Sequence, residues 1–197
     1  LTAVTWSPDS KYIFVGVLNR EQNHMKMNQY DAVTGNLVKT LFEETSDKYV
    51  EPQHPLLFFP NSNTDFIWQS QRTGYNHLFH YSLEKGLIAQ ITKGDWLVTD
   101  ILGFNEKKKE IYYASTQESP MERHLYRINW NNFKTQKLSA APGMHTGILS
   151  KDGTQLYDIY SNATTPRSVN LITTTTLKTK NILTSENPLK NYKRPEI

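Results

Sequence analysis

Short apolar, aromatic-rich segments separated by polar turns run along the whole chain. The clearest are "KYIFVGVLN", "DFIWQSQR", "EIYYAST" and "QLYDIYSN". Each combines β-branched and aromatic residues, and segments with helical periodicity are almost absent. Because segments of this kind, bounded by turn residues, are typical of β-strands, the pattern predicts an all-β chain.

A set of four strands recurs four times. The segments above are the second strands, and the third strands read "HMKMNQYD", "HLFHYSL", "HLYRINW" and "SVNLITT", with spacings of 53, 47 and 44 residues between their starts. Four strands at such a period predict a β-propeller of four-stranded antiparallel blades. The alternative is a β-sandwich with evenly spaced hairpins. The recurrence of aromatic and histidine positions in register favours the propeller.

The repeat also predicts the domain organisation. Four blades are expected over about 1–45, 46–95, 96–142 and 143–185, followed by a linker over 186–197. The chain starts inside an apparent strand, which indicates a piece of a longer protein. A blade cannot bury both of its faces alone, so blades must stack on neighbours.

The segment "GYNHLFHY" suggests a metal site, because His77 and His80 stand three residues apart. Successive strand residues alternate faces, however, so these two side chains are expected to point to opposite sides. His24, His77 and His124 share one repeat position, the first residue of the third strand, and lie on separate blades. We therefore predict that these histidines form no metal site. Their predicted role is to fix the start of the third strand in each blade.

Composition excludes several function classes. The chain has 22 Lys and Arg against 19 Asp and Glu, and the cations are scattered, so no basic stripe for nucleic acid is visible. The run Lys107–Lys109 beside Glu106 and Glu110 is typical of a solvated turn. There is no cysteine, which excludes disulfides, thiolate zinc sites and a cysteine nucleophile. No apolar run approaches the roughly 18 residues of a membrane helix.

Motifs for catalysis and cofactor binding are missing. The sequence contains no G-x-S-x-G nucleophile elbow, no G-x-G-x-x-G phosphate cradle and no H-E-x-x-H metal motif. The carboxylate pairs Glu43–Glu44 and Glu118…Glu122 are interpreted as solvated loop charges. We therefore predict no catalytic residue and no cofactor for this chain.

Several segments together resemble a known family. "LNREQNHMKMNQYDAVTG", "FIWQSQRTGYNHLFHYSL", "QITKGDWLVTDI", "EIYYAST…ERHLYRI" and "LSKDGTQLYDIYSN" resemble the propeller of dipeptidyl peptidase IV, within the prolyl oligopeptidase family of serine peptidases. The resemblance covers essentially the whole chain in order. Its most specific parts are "ITKGDW" and the R-x-G-Y-N-H-L turn. Bacterial members are the better match, because animal propellers carry cysteines that are absent here.

The resemblance implies a fold and an activity. In that family an eight-bladed propeller caps an α/β-hydrolase domain, and the enzyme removes dipeptides with proline or alanine in second position from peptide N-termini. This chain would be the C-terminal half of the propeller, and the hydrolase with its Ser, Asp and His would follow "KNYKRPEI". The paired glutamates that hold the substrate amine belong to an earlier blade, and Glu43–Glu44 is not that motif. The isolated chain is expected to be inactive.

The lengths of the loops predict which face of the propeller carries the functional residues. The links between second and third strands, and from each fourth strand to the next blade, are longer and more mixed than the other turns, and longer loops commonly carry function. The resemblance adds the loop before "PLLFFP", where Gln53–His54 stands in place of the Phe-Arg of animal members. The candidate substrate-facing residues are Tyr49, Glu51, Gln53, His54, Tyr75, Trp96 and Glu122. For Trp96, sealing of neighbouring blades is the alternative role.

Two functional hypotheses follow. The first is a propeller domain that gates and docks peptide for a hydrolase domain, with further propeller blades as partners and with export to the periplasm or cell exterior, as the family implies. The second is a stand-alone propeller that acts as a protein-interaction platform. The excised piece is expected to self-associate, because its first and last blades would lack neighbours.

Overall fold

The computed structural model describes residues 1–188, 190 and 192. These residues form sixteen strands and no helix. The first sheet contains β1 (Thr2–Trp6), β2 (Tyr12–Leu18), β3 (His24–Asp31) and β4 (Leu37–Thr45). The second contains β5 (Leu57–Phe58), β6 (Asp65–Ser70), β7 (His77–Ser82) and β8 (Gly86–Gln90).

The remaining strands form two further sheets. The third contains β9 (Val98–Asn105), β10 (Glu110–Ser115), β11 (His124–Asn129) and β12 (Thr135–Lys137). The fourth contains β13 (Met144–Leu149), β14 (Gln155–Ser161), β15 (Ser168–Thr173) and β16 (Thr179–Thr184). Each sheet is an antiparallel meander in which the strands lie in chain order. The predicted fold, four four-stranded antiparallel blades, is confirmed, and the third strands begin at the four predicted residues.

Short turns join the first strand to the second and the third strand to the fourth in each sheet. After β3, the carboxylate of Asp31 accepts hydrogen bonds from the backbone N–H groups of Val33 and Thr34, at 3.0 and 2.7 Å. Gly35 completes this turn with a φ of 73°, a conformation that favours glycine. After β13, hydrogen bonds from Ser150 and Thr154 lower the pKa of Asp152 to about 2. These side chains hold the hairpins closed and give the turns little reach.

Contacts divide the chain into two compact units, Leu1–Val98 and Thr99–Ile197. The first has an aromatic core in which Phe42 of β4 packs against Trp68 of β6 and Tyr81 of β7, with ring centroids 5.5 and 4.6 Å apart. Trp68, Met25 and Met27 are fully buried there. Burial of side chains this large supplies much of the hydrophobic stabilisation.

The second unit has a core of aliphatic side chains and Tyr112, next to a glycine. Leu125, Leu156 and Ile172 are buried, with Leu102 of β9 packed against them. Gly147 of β13 lies so close that a Cβ atom on it would stand 2.6 Å from Leu102 Cδ1. A glycine is therefore needed where the two sheets of this unit approach each other.

The structure corrects two interpretations of the sequence. Glu43 and Glu44 belong to β4 and are not loop charges, and the Glu44 side chain is only 10% exposed. Glu118 and Glu122 do lie in the β10–β11 loop, but both are bonded: Glu118 Oε1 accepts from Tyr126 Oη at 3.1 Å and Glu122 pairs with a histidine. Side chains from neighbouring strands thus form hydrogen bonds with carboxylates that the sequence pattern predicted to be solvated.

The first strand of the second sheet is only two residues long, although the whole of "PLLFFP" was expected to supply it. Much of the predicted linker, residues 189, 191 and 193–197, lies outside the described residues. Among the residues that the structure does describe, no helix has the length and apolar character needed to span a membrane.

Candidate functional site

The histidines of the "HLFH" segment have separate partners. His77 is buried, and its Nδ1 and Nε2 atoms lie 3.0 Å from Thr92 Oγ1 and 2.9 Å from the carbonyl oxygen of Gly94. His80 Nε2 lies 3.0 Å from Asp65 Oδ1. Burial lowers the pKa of His77, which keeps its ring neutral. The two rings diverge as strand alternation predicts, and no group of three or more metal-ligating residues occurs in the described part of the chain.

A chain of Ser, His and Glu in the third sheet resembles a catalytic triad in composition. His124 Nδ1 lies 2.9 Å from Ser139 Oγ, and His124 Nε2 lies 2.7 Å from Glu122 Oε2. Ser139 is 3% exposed, and its hydroxyl also accepts the backbone N–H of Leu125 at 3.0 Å. The group therefore has no room for a substrate.

The second sheet repeats this arrangement without a carboxylate. Thr92 takes the place of Ser139, His77 that of His124, and the backbone N–H of Leu78 donates to Thr92 Oγ1 at 3.0 Å. Both hydroxyls stand 15 residues after their histidine. Because this arrangement of histidine, hydroxyl and backbone N–H recurs in a sheet where no carboxylate takes part, its role is structural. It fixes the start of the third strand against the segment that follows the fourth strand.

The candidate site is a cavity of about 680 Å³ in the first unit. One wall is the β4–β5 loop and the other is the β6–β7 turn, so the lining comprises residues 44–52, 69–72 and 74. The β4–β5 loop is anchored by backbone hydrogen bonds from Ser46 to Asn23, at 3.0 Å, and from Val50 to Gln22, at 2.8 Å. These bonds attach the loop to the β2–β3 turn.

The base of the cavity is built around Arg72 and Glu44. Glu44 Oε1 accepts hydrogen bonds from Trp68 Nε1, at 2.7 Å, and from Arg72 Nη2. Arg72 also donates to Tyr81 Oη at 2.6 Å and to Ser70 Oγ at 3.0 Å. Burial raises the pKa of Tyr81, so its hydroxyl stays protonated. Three donors of one guanidinium are thereby occupied, and its plane is held in place.

Aromatic packing adds to this restraint. The Arg72 Cζ atom stands 4.7 Å from the centroid of the Phe79 ring. A cation above an aromatic face is attracted by the ring quadrupole, by about 0.5–2 kcal/mol. The Arg72 side chain is 28% exposed, so it contributes to the surface of the cavity as well as to its support.

The structure brings two of the predicted site residues into this cavity. Tyr49, which is 68% exposed, and Glu51 both line it. Gln53 and His54 follow on the same loop but lie outside the lining, as does Tyr75, the neighbour of Gly74.

The other two predicted residues are engaged elsewhere. Trp96 packs its edge on His77, with centroids 4.9 Å apart. A Cβ atom on Gly94 would lie 2.2 Å from Trp96 Nε1, so the segment "KGDW" is closely packed on itself. Glu122 is bonded to His124, as described above.

Sequence reasoning missed the residues that support the cavity, namely Glu44, Trp68 and Arg72. Arg72 is the first residue of the R-x-G-Y-N-H-L turn, which drew attention only as a family signature. One signal was available: arginine is the residue type best suited to a hydrogen-bonded ion pair with a carboxylate. Its partner, 28 residues earlier, could not be identified by pattern.

Comparisons with known proteins agree with these features. The family described as the dipeptidyl peptidase IV (DPP IV) N-terminal region matches residues 1–167. A protein assigned as a dipeptidyl aminopeptidase IV from Bacteroides ovatus has a crystal structure with a TM-score of 0.89 and 38% identity, covering 97% of this chain and 30% of that one. For Porphyromonas gingivalis dipeptidyl peptidase 4 the TM-score is 0.80 and the identity 25%, covering 95% and 26%.

A curated relative extends the match to fungi. A protein assigned as dipeptidyl peptidase 4 from Aspergillus flavus is 28% identical over 145 residues, which is 68% of this chain and 18% of the relative. This chain belongs to the dipeptidyl peptidase IV N-terminal region family, as its resemblance implied. It spans less than a third of the length of each of these relatives.

Proposed function

We propose that this chain is the propeller part of a dipeptidyl peptidase IV-like serine exopeptidase, which releases X-Pro and X-Ala dipeptides from the N-termini of peptides. In that enzyme the chain gates and docks the substrate, and a separate α/β-hydrolase domain supplies the catalytic Ser, Asp and His. The observation that carries the proposal is the cavity between residues 44–52 and 69–74, in a chain whose residues 1–167 match this family.

The build of the cavity suits a docking role. Its loops are tethered to the sheets by backbone bonds and by the Arg72–Glu44 pair, so a peptide would meet a largely preformed surface. Tyr49 offers an exposed aromatic ring, and tyrosine is enriched in binding surfaces because it gives a large contact area at a low entropic cost. The polar lining offers hydrogen-bond partners to a peptide backbone.

Tyr49 and Glu51 are the residues that we propose to contact substrate first. Gln53 and His54 continue the same loop, and Tyr75, Trp96 and Glu122 belong to loops of the corresponding type. For these five the proposed contribution is to shape the face that meets the hydrolase domain. Glu122 and Trp96 would do so through the histidines that they contact.

The proposal also covers the missing domains of the whole protein and its cellular location. The remaining propeller blades and a hydrolase domain are its proposed partners, and the peptide reaches the catalytic residues between them. Export to the periplasm of a bacterium is part of the proposal. The bacterial part of this proposal is supported by the 38% identity to the Bacteroides protein, and export follows from the family resemblance.

Hydrolysis of a Gly-Pro amide reporter tests the proposal. We expect no turnover by the 197-residue chain alone and turnover in the protein that joins it to its hydrolase domain, abolished by a serine-directed inhibitor. A matched control replaces the hydrolase nucleophile with alanine. Inhibitor-sensitive turnover by the chain alone, or an inactive whole protein that is correctly folded, would contradict the proposal.

A further inference from the structure

We propose that the cavity between residues 44–52 and 69–74 binds a cationic side chain, that of a lysine or an arginine in the docked peptide. This assignment deepens the docking role proposed above, on which the identity of the bound molecule as a peptide rests. The site for the positive charge itself follows from the electrostatics and hydrogen bonding of the cavity.

The lining of the cavity has an excess of negative charge. It contains three carboxylates, of Glu44, Asp47 and Glu51, against two cations, of Lys48 and Arg72, so its formal charge is −3 + 2 = −1. Within the described part of the chain, Asp47 and Glu51 form no ion pair, whereas Arg72 is paired with Glu44. The charges of Arg72 and Glu44 therefore offset each other, and the two carboxylates of Asp47 and Glu51 outnumber the one remaining cation, Lys48.

Glu44 adds an acceptor at the base of the cavity. Its side chain is 10% exposed, and both of its hydrogen bonds, from Trp68 and Arg72, go to Oε1. Oε2 has no hydrogen-bond partner among the described residues, and this atom is not completely buried. Glu44 lines the cavity, and a carboxylate oxygen that is held in place and has no partner is an acceptor for an ammonium or guanidinium group.

An anion is the alternative occupant, since Arg72 and Lys48 lie in the lining. Arg72 is poorly placed for that role, because Nη2, Nη1 and Nε already donate to Glu44, Tyr81 and Ser70. An anion could use only the two remaining N–H groups of Arg72, on a guanidinium whose charge Glu44 already offsets. A cation meets the carboxylates of Asp47 and Glu51, and the exposed ring of Tyr49 offers a further attraction to positive charge.

The four tryptophans provide a direct reporter. Because Trp68 Nε1 donates to Glu44, charge that enters the cavity should change the environment of this indole. We would label the 197-residue chain with 5-fluorotryptophan and assign the Trp68 resonance by its loss in Trp68→Phe. The fluorine spectrum would then be followed during titration with three probes: the Nα-acetyl methylamides of lysine, norleucine and glutamate.

We expect a saturable shift of the Trp68 resonance with the lysine probe and none with the norleucine or glutamate probe. Glu51→Gln should raise the Kd of the lysine probe by about two- to fivefold, the range for a partly exposed ion pair. Glu84→Gln removes one exposed carboxylate from the β7–β8 turn, outside the lining, and should leave the Kd unchanged. Added salt should weaken the binding of the lysine probe.

Three results would overturn the assignment: no saturable shift with lysine, an equal response to norleucine, or a response to glutamate instead. An unchanged Kd in folded Glu51→Gln would overturn it as well. The titration uses single amino-acid derivatives and measures no hydrolysis. If the cavity binds lysine but the whole protein has no dipeptidyl peptidase activity, only the proposed function is refuted. If the enzyme is active but its cavity does not bind lysine, only this inference is refuted.

Discussion

His145 Nδ1 lies 2.6 Å from Asp158 Oδ1, and both side chains are almost completely buried, with 0% and 3% exposure. The other ring nitrogen lies 2.7 Å from the carbonyl oxygen of Ala141, which can only accept, so the Nε2 atom carries a proton. The ring also packs against His124 and Tyr160, each with its centroid 5.0 Å away. This pair therefore joins β13 and β14 to the third sheet.

We predict that Asp158→Ala will strongly destabilise the second unit. Removal of one member of a buried pair leaves the other without compensation, at a cost of about 3–5 kcal/mol. Urea unfolding followed by circular dichroism measures this loss. Asp100→Ala, at an exposed position of β9, is the matched control and should cost less than about 0.5 kcal/mol. Equal losses in the two variants would contradict the role of the pair.

Arg72→Met should loosen the walls of the cavity. The substitution keeps the length of the side chain but removes the donors to Glu44, Tyr81 and Ser70, and it leaves Glu44 with one hydrogen bond fewer. We expect a loss of about 1–3 kcal/mol, because buried groups lose their partners. Hydrogen exchange of residues 46–52 should become faster.

The control for this variant is Arg20→Met. Arg20 lies at an exposed position after β2, and its replacement should change neither the free energy of unfolding nor the exchange of the loop. If Arg72→Met retains the wild-type exchange rates over residues 46–52, the arginine does not position the loop.

The stability of the chain should fall in mildly acidic solution partly because of His77. Burial lowers its pKa in the folded state, so below the ordinary value of 6.5 the unfolded chain binds a proton that the folded chain does not. The free energy of unfolding should thus decrease as the pH falls through about 6.5 and towards the lower folded pKa. Above that window His77 contributes no pH dependence.

His77→Gln offers a check on this assignment. The variant should show a shallower decline of the unfolding free energy between pH 7 and 5 than the wild-type chain, measured by urea titration at each pH. At pH 8 and above the two proteins should differ by a constant amount, which reports the lost contacts of the ring with Trp96, Thr92 and Gly94. Identical slopes between pH 7 and 5 would exclude His77 as the source.

Tyr49→Ala should weaken substrate docking in the whole enzyme. An exposed aromatic contact is worth about 1 kcal/mol, so we expect KM for a peptide longer than a dipeptide reporter to rise by about fivefold with kcat unchanged. Val33→Ala, in the β3–β4 turn at the other end of the sheet, is the control and should leave both constants unaltered. A fall in kcat with constant KM would assign Tyr49 to a different role.

The 197-residue chain by itself should self-associate. On one face of the fourth sheet Ile148, Tyr157 and Leu183 are 61%, 37% and 49% exposed, and in a propeller such a face packs on the next blade. Sedimentation velocity over a range of concentrations should show oligomers. Ile148→Lys with Leu183→Lys should reduce them, whereas Lys107→Ala with Lys108→Ala should not. A monomer at every concentration would contradict this prediction.

Local chemistry determined the strands. Four meanders could be predicted from the sequence, because a meander is built from contacts between neighbouring segments of the chain. The evidence was the β-branched and aromatic segments, the turns with Asp, Asn and Gly, and the repeat position of His24, His77, His124 and Ser168. The family could be identified for a similar reason, because its motifs are contiguous stretches such as "ITKGDW". The sequence also predicted that Tyr49 and Glu51 would lie on one loop.

Only the tertiary structure decided what the charged residues do. Glu44 looked like a solvated charge until Trp68 and Arg72, 24 and 28 residues away, were found bonded to the same oxygen. Glu122 and Trp96 looked available for substrate until their contacts with His124 and His77 were seen. A hydrogen bond forms only if its donor and acceptor atoms lie within a few tenths of an ångström of their preferred separation. Hydrophobic periodicity contains no information about such positions for atoms that are remote in the chain.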